Sequence, residues 1–280
     1  MNDTEILKQL RKEIFLIGYA GGMAHLASCY SCLEIVYALY AKGILKFDPK
    51  NPALPERDRF ILSKGHAGLT LYSVLCLNGI LTKDEFKSYL KEGSHVGGEP
   101  CKRDLPCVEA STGSLGHGLS MGIGMAMAQK LDKLSSRTFV ILGDGELEEG
   151  TIWEAAMSAK AFKLDNLVAI LDANEIQKMD SITATIGMNN WREKWESFGW
   201  QVDEVDGHNV EAVTECLKKQ NESEKPRLVI AHTVKGKGVS IMENNPAWHF
   251  KLPNKKELQV FKAELGITDE ELEEACKERI

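Results

Sequence analysis

The sequence predicts an α/β fold in which a mostly parallel sheet carries helices on both faces. Short β-branched apolar runs alternate with amphipathic helical patterns along the whole chain, the mark of a sheet covered by helices. Residues 139–177, FVILGDGELEEGTIWEAAMSAKAFKLDNLVAILDANEIQ, read as strand, Gly-Asp-Gly turn, acidic helix start, helix, second strand and polar turn. Turns rich in Gly, Ser and His follow the strands, on the edge where open α/β sheets bind ligands.

A chain of 280 residues with 43% hydrophobic content can bury a substantial core, and one domain over 1–280 is expected. The formal charge of -7 argues against a nucleic-acid binder, which needs a basic surface. The start, MNDTEILKQLRKEIFLIGYA, places acids before bases, and no apolar run reaches the roughly 18 residues that span a bilayer. A soluble, untargeted, cytoplasmic protein is expected. Seven cysteines without staple-like spacing fit a reducing compartment. Cys29-x-x-Cys32 reads as two small buried residues on a helix, since a zinc site would need further ligands such as Cys101 or Cys107.

In order along the chain, Ile6, Leu7, Leu10, Ile14, Phe15 and Ile17 recur at helical spacing and predict a helix over 4–18, closing near Gly18. Gly21 and Gly22 open a loop holding His25, and a second helix is expected over 31–40. Two prolines between 51 and 56 mark a loop before the short strand Phe60, Ile61, Leu62. The SKGHAG turn then sets His66 at a strand's carboxyl end, ahead of a helix over 69–77. By itself His25 reads as a satisfied loop residue, and His66 fits a capping loop as well as it fits a ligand. Thr82 and Glu85 have the capping-box spacing of a small helix over 82–89. Residues 94–108 form a long irregular connection, a kind of loop that often carries function.

The STGSLGHG stretch at 111–118 feeds a helix with Gly122, Gly124, Ala126 and Ala128. Such a loop offers unpaired N–H groups to an anion, and the small residues permit close packing. It is not a dinucleotide fingerprint, because no strand precedes it and Gly122-x-Gly124 lies inside the helix. Farther on, 181–190 reads as a turn region, 191–199 as a helix, 200–205 as an alternating strand and 210–219 as an amphipathic helix. RLVIAH at 227–232 is a buried strand running into TVKGKG, a flexible loop that reaches His249. The tail from about 254 is charged and helical, a solvated face or a docking helix.

Asp144 stands between two glycines after one strand, and Asn174 ends the next. Adjacent parallel strands would bring both oxygens to one edge, a sparse oxygen set of the kind Mg²⁺ completes with phosphate and water. A diphosphate ligand is implied. An EF-hand starting at Asp144 fails, since its sixth and twelfth positions hold Glu149 and Ala155. A plain turn with carboxylates favouring a helix start is the remaining alternative.

GDGELEEG followed by LDANEIQ looks like the thiamine-diphosphate motif. With SKGHAGLTLYSVL, EASTGSLGHGLSMGIGMA, WQVDEVDGHNVEAV and AHTVKGKGVSIMENNPAWH, in order along nearly the whole chain, the sequence resembles the N-terminal half of transketolase. The resemblance implies the thiamine-diphosphate-binding fold, with thiamine diphosphate and Mg²⁺ (or Ca²⁺ or Mn²⁺) as cofactors. It implies Asp144, Asn174 and the carbonyl of Ile176 on the metal, and His66 and His249 at the diphosphate. Gly145 would pack at the phosphate, and Gly113, Ser114 and Leu115 would run along the cofactor. His25 would lie near the reacting carbon with His249, and Glu149 would link the two cofactor sites of a dimer.

Two departures bear on the donor. The family's Gly-His-Pro appears here as Gly98-Glu99-Pro100, which puts a carboxylate in place of a donor-holding histidine, with His95 as a spatial substitute to look for. Around His25 the usual Gly-His-Pro-Gly becomes Ala24-His25-Leu26-Ala27. The family's pyrimidine-binding and C-terminal domains are not in this sequence. The resemblance therefore implies one chain of a split transketolase, an α2β2 heterotetramer with a separate C-terminal subunit, moving a two-carbon ketol unit from a ketose, expected to be a phosphate, to an aldose or aldehyde. The alternatives are a chain of another thiamine-diphosphate enzyme, either a 2-oxo-acid decarboxylating ligase or an E1-type component, and a non-catalytic cofactor-binding subunit.

Overall fold

The computed structural model describes residues 1–187 and 190–277. Five strands, β1 (Arg59–Leu62), β2 (Thr138–Gly143), β3 (Leu167–Ala173), β4 (Gln201–Asp206) and β5 (Arg227–His232), form one sheet in the order β1-β2-β3-β5-β4, every pairing parallel. Successive side chains alternate between two cores, as strand geometry requires. Phe139, Ile141, Val168, Ile170, Val229 and Ala231 face one side, and Val140, Leu142, Ala169, Leu171, Leu228 and Ile230 the other. With both faces covered, the central strands are apolar throughout, which is why they read as unbroken hydrophobic runs.

Helices α1 (Asp3–Ala20), α2 (Leu26–Ser31), α3 (Leu33–Ala41), α4 (Gly68–Leu77) and α5 (Lys83–Lys87) precede α6 (Gly118–Leu131) and α7 (Gly150–Ala161). They are followed by α8 (Ile182–Ile186), α9 (Trp191–Ser197), α10 (Val210–Lys218), α11 (Lys255–Leu265) and α12 (Asp269–Lys277). The first core packs residues of α1, α3, α4, α10 and α11, and the second those of α6, α7 and α9. Within α6, a Cβ on Gly122 would stand 2.5 Å from Val140 Cγ2, so this glycine lets the helix lie close on β2.

Three boundaries differ from expectation. The first helix runs past Gly18 to Ala20 and caps at Gly21; Gly18 is interior, and a Cβ there would sit 2.8 Å from Ala24 Cβ. The helix expected over 31–40 is α3, and a further helix, α2, starts directly after His25 where a loop was expected, the two being separated by a turn at Cys32. The turn region at 181–190 contains α8, whose N-cap Ser181 accepts the Ala184 N–H and whose C-cap Gly187 is left-handed; Met188 and Asn189 lie outside the described residues. The capping box at Thr82 and Glu85 is present. Cys29 and Cys32 are both buried, and burial pushes their thiols up, to about 11 and about 12. Among the described residues no helix is long and apolar enough to cross a membrane.

Candidate functional site

The carboxyl ends of β1, β2, β3 and β5 open into a cavity of about 290 Å³. Its walls bring together His25, His66, Glu99, Gly113, Leu115, Asp144, Gly145, Asn174, Ile176 and His249, most of the residues singled out from the sequence. Ser114 and Glu149 are not among them. Ser114 is exposed on the outer turn of its loop, and Glu149 is exposed at the N-cap of α7. His95 does not line the cavity either, so it does not replace the missing histidine; it lies near Glu85 and Asp104.

Register explains the oxygen cluster. Gly143 of β2 pairs with Asp172 of β3, so Asp144 and Asn174 leave neighbouring strands side by side. Asp144 accepts from the N–H of Gly145 at 2.8 Å and from the N–H of Glu175. Asn174 Oδ1 accepts the Ile176 N–H at 3.2 Å, while its Nδ2 donates to Asp172 at 3.3 Å. Glu175, at φ +61°, turns the chain between them. The Ile176 carbonyl accepts from Lys235 Nζ at 2.6 Å, so this corner already draws a cation. Burial, with the nearby Asp172 charge, pushes the Asp144 carboxyl up to about 7. A carboxylate, an amide oxygen and a carbonyl, with no sulfur or imidazole, make a hard donor set suited to Mg²⁺ or Ca²⁺.

Three histidines form the opposite wall. Ring centroids of His25 and His66 are 5.1 Å apart, His25 and His249 5.3 Å, and His66 and His249 5.8 Å. Burial, reinforced by Lys235, lowers His25 to about 4 and His249 to about 3; burial and Lys64 hold His66 well below its usual value. All three rings are therefore neutral at pH 7, each with one donor and one acceptor nitrogen. Glu99 reaches over the Gly113 backbone, and a Cβ on Gly113, whose φ is +140°, would collide with its carboxylate.

Sequence reasoning missed three groups. Lys235, only 3% exposed, projects between Ile176 and His249, whose Nδ1 is 3.1 Å from its ammonium. Burial and Lys64 lower its pKa to about 8. Lys64 is buried beside Asp172, which it neutralises, and also donates to Ser28 O at 3.2 Å. Asp172 further accepts from Ser31 at 2.6 Å and from Thr233. Glu146 ties three loops together, accepting from Ser63, from the Gly116 N–H at 2.9 Å and from the Gly143 N–H at 3.1 Å. The available signal was position: SKGH and TVKGKG both leave the carboxyl ends of strands, where a lysine is at the ligand edge.

Comparison with known proteins places these features in context. The family model described as transketolase, thiamine diphosphate binding domain, matches residues 19–278. The chain is 39% identical over 264 residues to an apulose-4-phosphate transketolase subunit of Phocaeicola vulgatus, covering 94% of this chain and 93% of that protein. It is 38% identical over 230 residues to the 6-deoxy-6-sulfo-D-fructose transketolase subunit SqwG of Clostridium sp., covering 81% and 83%. The human transketolase is 40% identical over 233 residues, but the match takes in 83% of this chain and only 37% of that protein. The crystal structure of the Pichia stipitis transketolase in complex with sedoheptulose-7-phosphate superposes with a TM-score of 0.85 at 28% identity, over 99% of this chain and 45% of that one.

Proposed function

The chain belongs to the transketolase family through its thiamine-diphosphate-binding domain, and from that premise we propose that it is the N-terminal subunit of a two-chain transketolase. It moves a two-carbon ketol unit from a ketose to an aldose or aldehyde, and it is active only with a separate C-terminal subunit. End-to-end similarity to relatives that are themselves named as transketolase subunits supports the division into chains. The observation that carries the reading is the cavity that unites the hard-oxygen corner, Lys235 and three neutral histidines.

Bound thiamine diphosphate supplies the electron sink for breaking and forming the C–C bond. This chain supplies binding, orientation and proton handling. Asp144, Asn174 Oδ1 and the Ile176 carbonyl would hold Mg²⁺, or Ca²⁺ or Mn²⁺, which would offset the charge of the diphosphate. Gly145 and Lys235 would contact the phosphates, with His66 and His249 beside them, and the loop from Gly113 to Leu115 would run along the cofactor. His25 and His249, kept neutral, accept and return the protons of substrate hydroxyls. Glu99 faces the donor. Glu149, exposed at the start of α7, meets a second copy of this chain in an α2β2 assembly. We read residues 1–280 as one domain with α11 and α12 as its charged tail, working in the cytoplasm.

A second reading, in which the same cofactor decarboxylates a 2-oxo acid, rests on Glu99, which lines the cavity in place of the family's donor-holding histidine. The chain mixed with its partner and offered either a ketose phosphate or pyruvate separates the two. Ketol transfer without carbon dioxide release is expected, and carbon dioxide release from pyruvate alone would favour the second. Asp144→Ala is expected to abolish metal-dependent cofactor binding; a variant that keeps both binding and partner-dependent activity refutes the metal assignment.

A further inference from the structure

Outside the cavity, Arg11 of α1, Glu34 of α3 and His208 of the turn between β4 and α10 form a connected polar triad within the first core. Arg11 is 7% exposed and Glu34 4%. Arg11 Nη2 donates to Glu34 Oε1 at 2.5 Å, and Glu34 Oε2 lies 3.1 Å from His208 Nδ1. Burying such charges is costly unless they are paired and hydrogen-bonded, and pairing by itself makes a weak case for stability. The remaining contacts of the triad show where it acts. His208 Nε2 accepts the Val234 N–H at 2.8 Å, which leaves the ring proton on Nδ1, facing Glu34. Arg11 Nε donates to the Lys237 carbonyl at 2.9 Å. The two anchors therefore bracket Lys235, whose ammonium enters the cavity toward the Ile176 carbonyl and His249. The loop between the anchors is shaped for the close approach. Gly236, at φ +82°, donates its N–H to Ala27 O at 3.0 Å, and at Gly238, φ +95°, a Cβ would stand 3.0 Å from Arg11 Cδ.

We propose that the Arg11–Glu34–His208 triad is a positioning device that sets Lys235 in the diphosphate site, so that cofactor affinity depends on residues that never touch the cofactor. The proposal rests on the reading of Lys235 as a diphosphate contact. His208 and Arg11 are positioning residues, and their effect passes through the backbone on either side of the lysine.

The test is a double-mutant cycle on the full chain in complex with its partner subunit, titrated calorimetrically with thiamine diphosphate in the presence of Mg²⁺. Lys235→Ala and His208→Phe are each expected to weaken binding roughly tenfold, the scale on which supporting hydrogen bonds act at a site. The double variant is expected to bind no more weakly than Lys235→Ala alone, because the two residues act as a unit. His208→Gln, which keeps a donor and an acceptor, is expected to recover most of the loss, and His208→Ala, which also removes both hydrogen bonds, takes the place of His208→Phe should the latter not fold. A lowered melting temperature with unchanged affinity in His208→Phe, or losses that multiply in the double variant, overturns the proposal. If Lys235→Ala itself leaves affinity unchanged, the diphosphate reading of Lys235 fails instead, so the two failures are distinguishable.

Discussion

His25, His66 and His249 share one physical state, neutral imidazole held by burial and nearby ammonium groups. Their folded pKa values lie below the unfolded value of 6.5, so the unfolded chain binds more protons over the interval between. The histidines' share of stability is therefore constant above pH 6.5 and falls as pH drops toward about 4, while Asp144, raised to about 7, acts in the opposite sense over the same interval. Between pH 7 and pH 4 the melting temperature of the cofactor-free chain should lose more, or gain less, than that of the His25→Asn, His249→Asn variant. An undiminished slope in the double variant would assign the acid sensitivity to other groups. Asp144 and Asn174 were legible in the sequence because a Gly-Asp-Gly turn and a strand-ending asparagine advertise themselves. Lys235 and Glu146 were not, because a lysine in a glycine-rich loop and a glutamate at a helix start both read as solvated until tertiary packing buries them. Ser114 and Glu149 show the reverse: motif position marked them, and the fold leaves their side chains exposed.

The strands and the larger helices were legible as elements from their periodicity, and the parallel sheet from their alternation. Breaks were less so. The turn at Cys32 and the five-residue α8 leave no mark in apolar spacing, since both segments are short and the first is buried all round. Glycines show how closely the elements approach. A Cβ on Gly65 would stand 2.6 Å from the Gly113 N and Thr112 C atoms, so the turn after β1 and the glycine-rich loop touch through their backbones. Gly65→Ala is expected to cost about 1–3 kcal/mol, as overpacking does, and to weaken cofactor binding by displacing Gly113. On α6, Gly122→Ala should destabilise by forcing the helix off Val140, whereas Gly124→Ala, with open space at its Cβ, should stabilise by roughly 0.5–1 kcal/mol. Denaturant midpoints of the three variants check all three signs.

For the whole molecule, the sheet order places the ends of β2, β3 and β5 side by side, and the assigned metal ligands and Lys235 follow those three ends, with His66 beyond β1. In the proposed function this chain anchors the cofactor and a separate subunit completes the active site. The direct measurement of that division is a ketol-transfer assay with thiamine diphosphate and Mg²⁺ present throughout, run on the chain alone and on the chain with its separately prepared partner. Transfer only in the mixture is predicted; full transfer by this chain alone would contradict the account.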